Sequence, residues 1–366
     1  MKILLTAPNL DENRNVSGIS TVVRQIIERG TGNYEHFNAG RADGEAADVS
    51  WFLKQTLLPF RFFRLLKRGK FDAAHINTAL NPLSIWRDYA LTRAARIANR
   101  PVLLHIHGGK FLARDFDNKP LAQIAQKMLA SADAIVVLSE IEKNIIEKRQ
   151  PNSNIKVLEN AVAVEDYARI KVKTKAGNKT NPIEKTIIFL GRLHESKGLN
   201  EIVEAVRILK GEQFCFNFKC YGAGDLQDFF IREMTAVLRD KFHFGGVVSG
   251  EDKIRALAAA DIFVLPSRYG EGLPMAMLEA MAAGCTVVTS EMASVGAVVQ
   301  NGVNGFTVEP GNVAQLVDRL KMILADEIDA KIIGETARET IAAKFNLRVY
   351  IEKLEKIYAD IAARKT

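Results

Sequence analysis

Short apolar runs alternate with longer amphipathic segments along this chain, and the alternation runs through twice. "KILLTA", "FDAAHIN", "PVLLHIHGG" and "ADAIVVLSE" are too short for helices, and polar residues or glycine follow each. Between them lie stretches of helical spacing, such as "ISTVVRQIIERG", closed by Gly30, and residues 84–98 and 120–130. Strands that are apolar on both faces need cover on both sides. Helices between successive strands supply that cover. The result is a parallel sheet with helices on its two faces.

The pattern stops at 171–185, "KVKTKAGNKTNPIEK", which is lysine-rich and broken by Gly177 and Pro182, and which reads as a loop or linker. It then restarts with "TIIFLGR", a helix over 198–210, "FCFNFKCYG", a helix over 225–239, "KFHFGGVV", a helix over 251–259, "DIFVLPS", a helix over 274–283 and "TVVTS". A chain of 366 residues is long for one core. Two α/β domains are expected, 1–170 and 183–346. In the closing stretch "NLRVYIEKLEKIYADIAARK", Leu347, Ile351, Leu354 and Ile361 share one helical face.

Composition narrows the class. Hydrophobic residues at 48% and charged residues at 25% are the balance of a globular protein. Three cysteines, Cys215, Cys220 and Cys285, form no CxxC pair, which favours a reducing compartment. The apolar run before Pro8 is too short for a signal peptide, and no stretch approaches the ~20 apolar residues of a membrane span. A cytoplasmic protein is expected. The net charge of +7 favours anionic partners without choosing among phosphates, nucleic acid and a membrane surface. No nucleic-acid recognition motif accompanies it, so no nucleic-acid partner is expected.

Ligands of open parallel sheets bind beyond the carboxyl ends of the strands. After the strand 186–190 comes "GRLHESKG", where glycines flank Arg192 and Lys197 and a helix follows. Arg offers a planar fork to phosphate oxygens, Lys a point charge, and the helix its open N–H groups. Read alone, the segment is equally an exposed basic loop. After the strand 261–265 comes "PSRYGEGLPMAMLEAMAAG". Pro274 suits a first helical turn and Gly284 a left-handed C-terminal stop. Glu271 then lies in the loop before the helix and Glu279 inside it, with seven residues between them. Either glutamate alone reads as a solvated acid. Together with the basic loop, they read as ligands of something bound at the helix N-terminus.

These segments resemble the retaining glycosyltransferases of family 4. "FLGRLHESKGL" is similar to the family's G-R-x-x-x-x-K-G segment. "ALAAADIFVLPSRYGEGLPMAMLEAMAAGCTVVTS" is similar to its Glu-x7-Glu signature, and "NGVNGFTVEPGN" to the segment that follows. The likeness is strong over 186–345 and carried in the first half by "SGIS", "FDAAHIN", "HIHGG" and "VVLSE". The resemblance implies a GT-B architecture: two Rossmann-like domains facing across a cleft, with the terminal helix 347–366 returning to the first. It implies a donor that is a UDP- or GDP-linked sugar, no other cofactor and no metal. The acceptor would be a glycan or lipid-linked hydroxyl, in the synthesis of cell-surface polysaccharide.

The resemblance also assigns residues. Arg192 and Lys197 would bind the donor diphosphate, and Glu279 the ribose hydroxyls. Glu271 would lie at the reacting centre, with the backbone of Gly272, Leu273 and Pro274 on sugar or phosphate. His107 would reach the donor sugar, whereas His105, deeper in the same strand, is structural. Gly18 would lie beside the diphosphate. The chain departs from the family pattern at Ser17, where a second glycine is common, at Ala297, where a glutamate is common, and at Asn160–Ala161, where Asn-Gly is common.

Other classes stand lower. A dinucleotide oxidoreductase rests on "GAGDLQ" at 222–227, which lacks the third glycine. A non-catalytic sugar-nucleotide binder of the same fold is the alternative. Residues 51–70, "WFLKQTLLPFRFFRLLKRGK", mix aromatic and basic residues, and Pro59 is expected to divide them. They read either as a helix packed on the first domain or as a segment that docks on an anionic membrane at the inner face of the cell.

Overall fold

The computed structural model describes the chain except for residues 13–14, 16, 41–48, 110–111, 113–118, 170–183, 293 and 365–366, and describes only the backbone of 49–52. The 171–185 linker expected from composition therefore falls almost wholly outside the described residues. Two compact units form: Met1–Asn160 with Glu271–Leu273 and Leu347–Thr366, and Ala161–Gly270 with Pro274–Asn346.

The first unit is a parallel sheet of β1 (Lys2–Ala7), β2 (Asn33–Asn38), β3 (Ala73–Thr78), β4 (Val102–Ile106), β5 (Ala134–Val137) and β6 (Ile155–Val157), in the order β2-β1-β3-β4-β5-β6. Helices α1 (Gly18–Arg29), α2 (Val49–Arg68), α3 (Pro82–Ile97), α4 (Lys119–Ala130) and α5 (Glu140–Arg149) alternate with the strands. Every residue of β3, β4 and β5 is buried, as strands covered on both faces must be.

The second unit repeats the plan. After the short α6 (Val164–Ala168) come β7 (Lys185–Leu190), α7 (Leu199–Gly211), β8 (Phe216–Tyr221), α8 (Gln227–Leu238), β9 (Phe242–Phe244), α9 (Gly250–Ala258), β10 (Ile262–Leu265), α10 (Met275–Ala283), β11 (Thr286–Ser290), β12 (Phe306–Val308), α11 (Val313–Leu324) and α12 (Ala330–Lys344). Its sheet runs β12-β11-β10-β7-β8-β9, with every pairing parallel. The last helix, α13 (Leu347–Ala363), belongs to the first unit, where it packs on α1, β3 and β4. Its buried stripe contains the four residues expected there, joined by Tyr350, Ile357 and Tyr358. Glu355 ties it down by accepting from Thr31 N–H at 2.7 Å and from the Tyr34 hydroxyl at 2.7 Å.

Several local expectations change. The chain passes to the second unit at Ala161, not near 170, because Val162 N–H bonds to Phe345 C=O at 2.9 Å and ties this strip to the end of α12. Pro59 does not divide its segment: α2 runs through it as one helix. Pro274 is the N-cap of α10, in extended conformation, not its first helical residue, whereas Gly284 is left-handed at φ 86° as expected. The "GAG" of 222–224 holds no dinucleotide fingerprint. A Cβ on Gly222 would stand 1.9 Å from the Gly191 carbonyl and one on Gly224 2.3 Å from that of Leu193, so these glycines seat the loop that follows β7.

Candidate donor site and histidine cluster

Strand order decides where to look. In the second unit the order reverses between β10 and β7, and that switch point is where open parallel sheets bind ligands. The two loops leaving it are the ones that carry Arg192 and Lys197 and that lead to Glu271.

The first of these loops winds into a 3-10 turn, Glu195–Lys197, capped by His194, whose Nδ1 accepts from Ser196 N–H at 3.2 Å. Gly198 ends the turn at φ 72°, and a Cβ there would lie 2.0 Å from the Pro266 carbonyl oxygen. The loops after β7 and β10 thus meet backbone to backbone. Arg268 N–H donates to Ser196 C=O at 2.8 Å, the Arg268 guanidinium pairs with the buried Glu201, and the Tyr269 hydroxyl donates to Glu195. This clasp sets Arg192 and Lys197, exposed and half-buried respectively, at the mouth of the switch point. Sequence reasoning missed Arg268 and Glu201.

Helix α10 begins at Met275 and is buried along nearly its whole length. Its open N–H groups carry partial positive charge. Glu279, 3% exposed, sits one turn in. A lone carboxylate buried in so apolar a helix would be costly. Lys253 of α9 offsets that cost by donating to Oε1 at 2.7 Å. Oε2 has no hydrogen-bond partner among the described residues. The charge also acts on Tyr167 of α6, whose hydroxyl pKa is pushed far up by burial first and by Glu279 second. Lys253 carries no motif in the sequence, so only the packing of α9 on α10 reveals it.

In the first unit, Gly18 is the first residue of α1, after the N-cap Ser17. The loop before it is pinned by Asn15, which accepts from Ser17 N–H at 3.0 Å and donates to Ser20 Oγ at 2.9 Å. Asn160, at the Asn-Ala departure, donates to the Leu273 carbonyl at 2.8 Å. Gly272 packs against the Leu138 side chain and the His107 carbonyl. Glu271 is half-buried in the same strip. The structure thus groups Gly18, His107, Glu271, Gly272 and Leu273 with the first unit, and Arg192, Lys197, Pro274 and Glu279 with the second.

His107 follows β4 and does not stand alone. His75 and Asn77 of β3, with His105 and His107, form a polar cluster on one face of two paired strands. His75 and His105 are fully buried, and their rings stack with centroids 5.3 Å apart. Those of His105 and His107 lie 4.0 Å apart. Burial pushes His75 and His107 down to about 3, and carries His105 well below the ordinary imidazole range. All three are neutral at physiological pH.

Comparison with known proteins bears on the family and the fold. The family model described as "Glycosyl transferases group 1" matches residues 171–340, and that described as "Glycosyltransferase Family 4" matches 47–166. The chain belongs to these glycosyltransferases. It is 33% identical over 185 residues to the amylovoran biosynthesis glycosyltransferase AmsK of Erwinia amylovora, a match that covers 48% of this chain and 45% of that protein. It is 26% identical over 318 residues to the phosphatidyl-myo-inositol mannosyltransferase of Mycobacterium leprae, covering 82% of this chain and 77% of the relative. Among solved structures, sucrose-phosphate synthase from Thermosynechococcus elongatus superposes with a TM-score of 0.81 at 19% identity, over 99% of both chains. Anabaena HepE, solved in complex with UDP, superposes at 0.75 and 18% identity, over 98% of this chain and 100% of that one. The fold is GT-B.

Proposed function

We propose that this glycosyltransferase moves a sugar, with retention at the anomeric carbon, from a UDP- or GDP-linked donor to a hydroxyl of a glycan or lipid-linked acceptor in cell-surface polysaccharide synthesis. The observation that carries the reading is the switch point of the second unit. There the loops that leave β7 and β10 are clasped backbone to backbone, the second leads into the open N-terminus of α10, and Glu279 one turn inside that helix keeps Oε2 without a hydrogen-bond partner among the described residues. The cations and helix N–H groups match a diphosphate, and the unbonded Oε2 of Glu279 matches a vicinal diol such as that of ribose. HepE's complex with UDP supports a nucleotide donor, and the mannosyltransferase relative supports a lipid-linked acceptor.

In this reading Arg192, Lys197 and the start of α10 stabilise the charge that grows on the departing diphosphate, which needs no metal. The acceptor oxygen bonds to the anomeric carbon on the face the phosphate leaves. The carbon–oxygen bond to phosphate breaks, and the acceptor proton passes to the leaving phosphate oxygen. Glu271 and the backbone of Gly272, Leu273 and Pro274 attend the sugar, His107 a sugar hydroxyl, and Gly18 the diphosphate. The test is proton NMR of the product from a panel of UDP- and GDP-sugars, with and without EDTA. Retained configuration and undiminished turnover in EDTA are expected. An inverted product, or loss of turnover that metal restores, overturns the mechanism.

The acceptor side is carried by α2. Leu58, Phe62 and Leu66 face the core, whereas Leu53, Leu57 and Phe60 stand 62%, 58% and 58% exposed on the opposite stripe. Exposed Lys54, Arg61, Arg64, Lys67 and Arg68 accompany them, with Arg64 over the Phe60 ring at 5.6 Å. Leu83 and Trp86 of α3 are also exposed. An apolar ridge edged by cations suits a helix lying in an anionic interface. Among the described residues no helix is long and apolar enough to cross a membrane. We place the enzyme on the inner face of the cell membrane through this ridge. Each basic residue near an anionic surface adds about 1 kcal/mol, screened by salt. The protein should sediment with vesicles containing anionic lipid at low salt, and less as salt rises. Replacing Arg61, Arg64, Lys67 and Arg68 with Ser should release it. A wild-type protein that stays in the supernatant leaves α2 as a core helix with a wet outer face.

A further inference from the structure

The histidine cluster contains more order than its neutrality requires. Asn77 donates through Nδ2 to the Thr6 carbonyl at 2.9 Å, which turns its Oδ1 toward His107 Nε2 at 2.6 Å. An amide oxygen only accepts, so the shared proton is on Nε2. A neutral imidazole protonated at Nε2 has a lone pair at Nδ1.

The deeper pair follows the same rule. The Tyr358 hydroxyl lies 2.6 Å from His75 Nδ1, and His75 Nε2 lies 3.3 Å from His105 Nδ1. If Tyr358 donates, His75 carries its proton on Nε2 and passes a hydrogen bond to His105. Only the His105 Nε2–H is then left buried without a partner. The opposite direction strands both the Tyr358 proton and the His105 Nε2 lone pair. One orphan costs less than two. The favoured direction protonates all three imidazoles at Nε2.

We propose that Asn77, with the Tyr358–His75–His105 chain beneath the His107 ring, positions His107 as the tautomer protonated at Nε2, so that Nδ1 accepts a hydrogen bond from a hydroxyl of the transferred sugar. The proposal rests on the reading of His107 as a residue that meets that sugar. An acceptor that fixes tautomer and ring direction acts on the reacting group only through the imidazole, so Asn77 and Tyr358 are positioning residues. Tyr358 brings α13 into this role: the helix that closes the first unit also aims a side chain of the site.

The experiment uses the full chain labelled with 15N at histidine. Long-range proton–nitrogen correlation at pH 7.5 should show His107, His75 and His105 each with a pyrrole-type Nε2 and a pyridine-type Nδ1, the His107 signals being assigned by their loss in His107→Gln. A pyrrole-type Nδ1 at His107 overturns the proposal, whatever the variants do. Asn77→Leu should lower kcat by about 10²-fold, the scale of a misplaced reacting group. Tyr358→Phe should lower it about tenfold, the scale of one hydrogen bond. Nucleoside diphosphate affinity should be unchanged in both, because neither side chain is among the groups assigned to the diphosphate or the ribose. Wild-type kcat in both variants, with the expected tautomers, also overturns the positioning role. If His107→Gln turns over normally, the reading of His107 itself is wrong, a result distinct from either.

Discussion

Lys197→Ala and Arg192→Ala are each expected to lower turnover by about 10²–10³-fold, or about 3–4 kcal/mol, because in the proposed mechanism each removes a cation that meets charge appearing only as the diphosphate leaves. The fold should survive. The loop is shaped by the left-handed Gly198, the His194 cap and the Arg268–Ser196 backbone bond, none of which uses either side chain. Glu279→Gln should behave differently. It keeps the shape of the side chain but gives up a charged acceptor, so nucleoside diphosphate binding itself should weaken about 10–100-fold. Calorimetric titration separates the two kinds of variant. Near-normal turnover in both cation variants would remove the diphosphate assignment, and unchanged affinity in Glu279→Gln would remove the ribose assignment.

Acid should destabilise the first unit well before it protonates ordinary carboxylates. His75 and His105 are fully buried, and burial holds the first down to about 3 and the second well below its usual range. In the unfolded chain each takes up a proton near pH 6.5, whereas the folded chain takes up none until about 3 for His75. The unfolded state therefore binds more protons throughout that window. Stability is full above pH 6.5 and falls as pH drops through it. Two such groups cost about 4 kcal/mol between pH 7.5 and 5, out of the ~5–15 kcal/mol of a typical domain. Both tryptophans, Trp51 and Trp86, lie in this unit and report on it. Urea midpoints followed by tryptophan fluorescence should drop steeply from pH 6.5 to 5. A flat midpoint over that range would mean that the cluster is charged or hydrated in the native state.

Much of this was legible in the residues alone, because the signals are local. Periods of two and 3.6 residues mark strands and helices, glycines mark the turns that need them, and "GRLHESKG" and "GEGLP" stand at strand ends wherever the strands pair. The two-domain α/β class and the segments of the candidate donor site follow from those signals. The exposed apolar stripe of α2 shows where locality ends. Leu58, Phe62 and Leu66 are at helical spacing, but so are Leu53, Leu57 and Phe60, and no spacing rule says which stripe faces water. The packing of α2 in the first unit settled it.

The chain by itself determined its elements and the chemistry at their ends. Tertiary structure alone decided the strand order that puts β7 beside β10, the Lys253 that pairs with Glu279, the Arg268 that clasps the loop after β7, and the hydrogen bonds of Asn77 to His107 and of Tyr358 to His75. Each of these partners comes from a different element and is set by sheet order or helix packing, whose energy is spread over many apolar contacts and leaves no periodic trace around the polar residues it brings together.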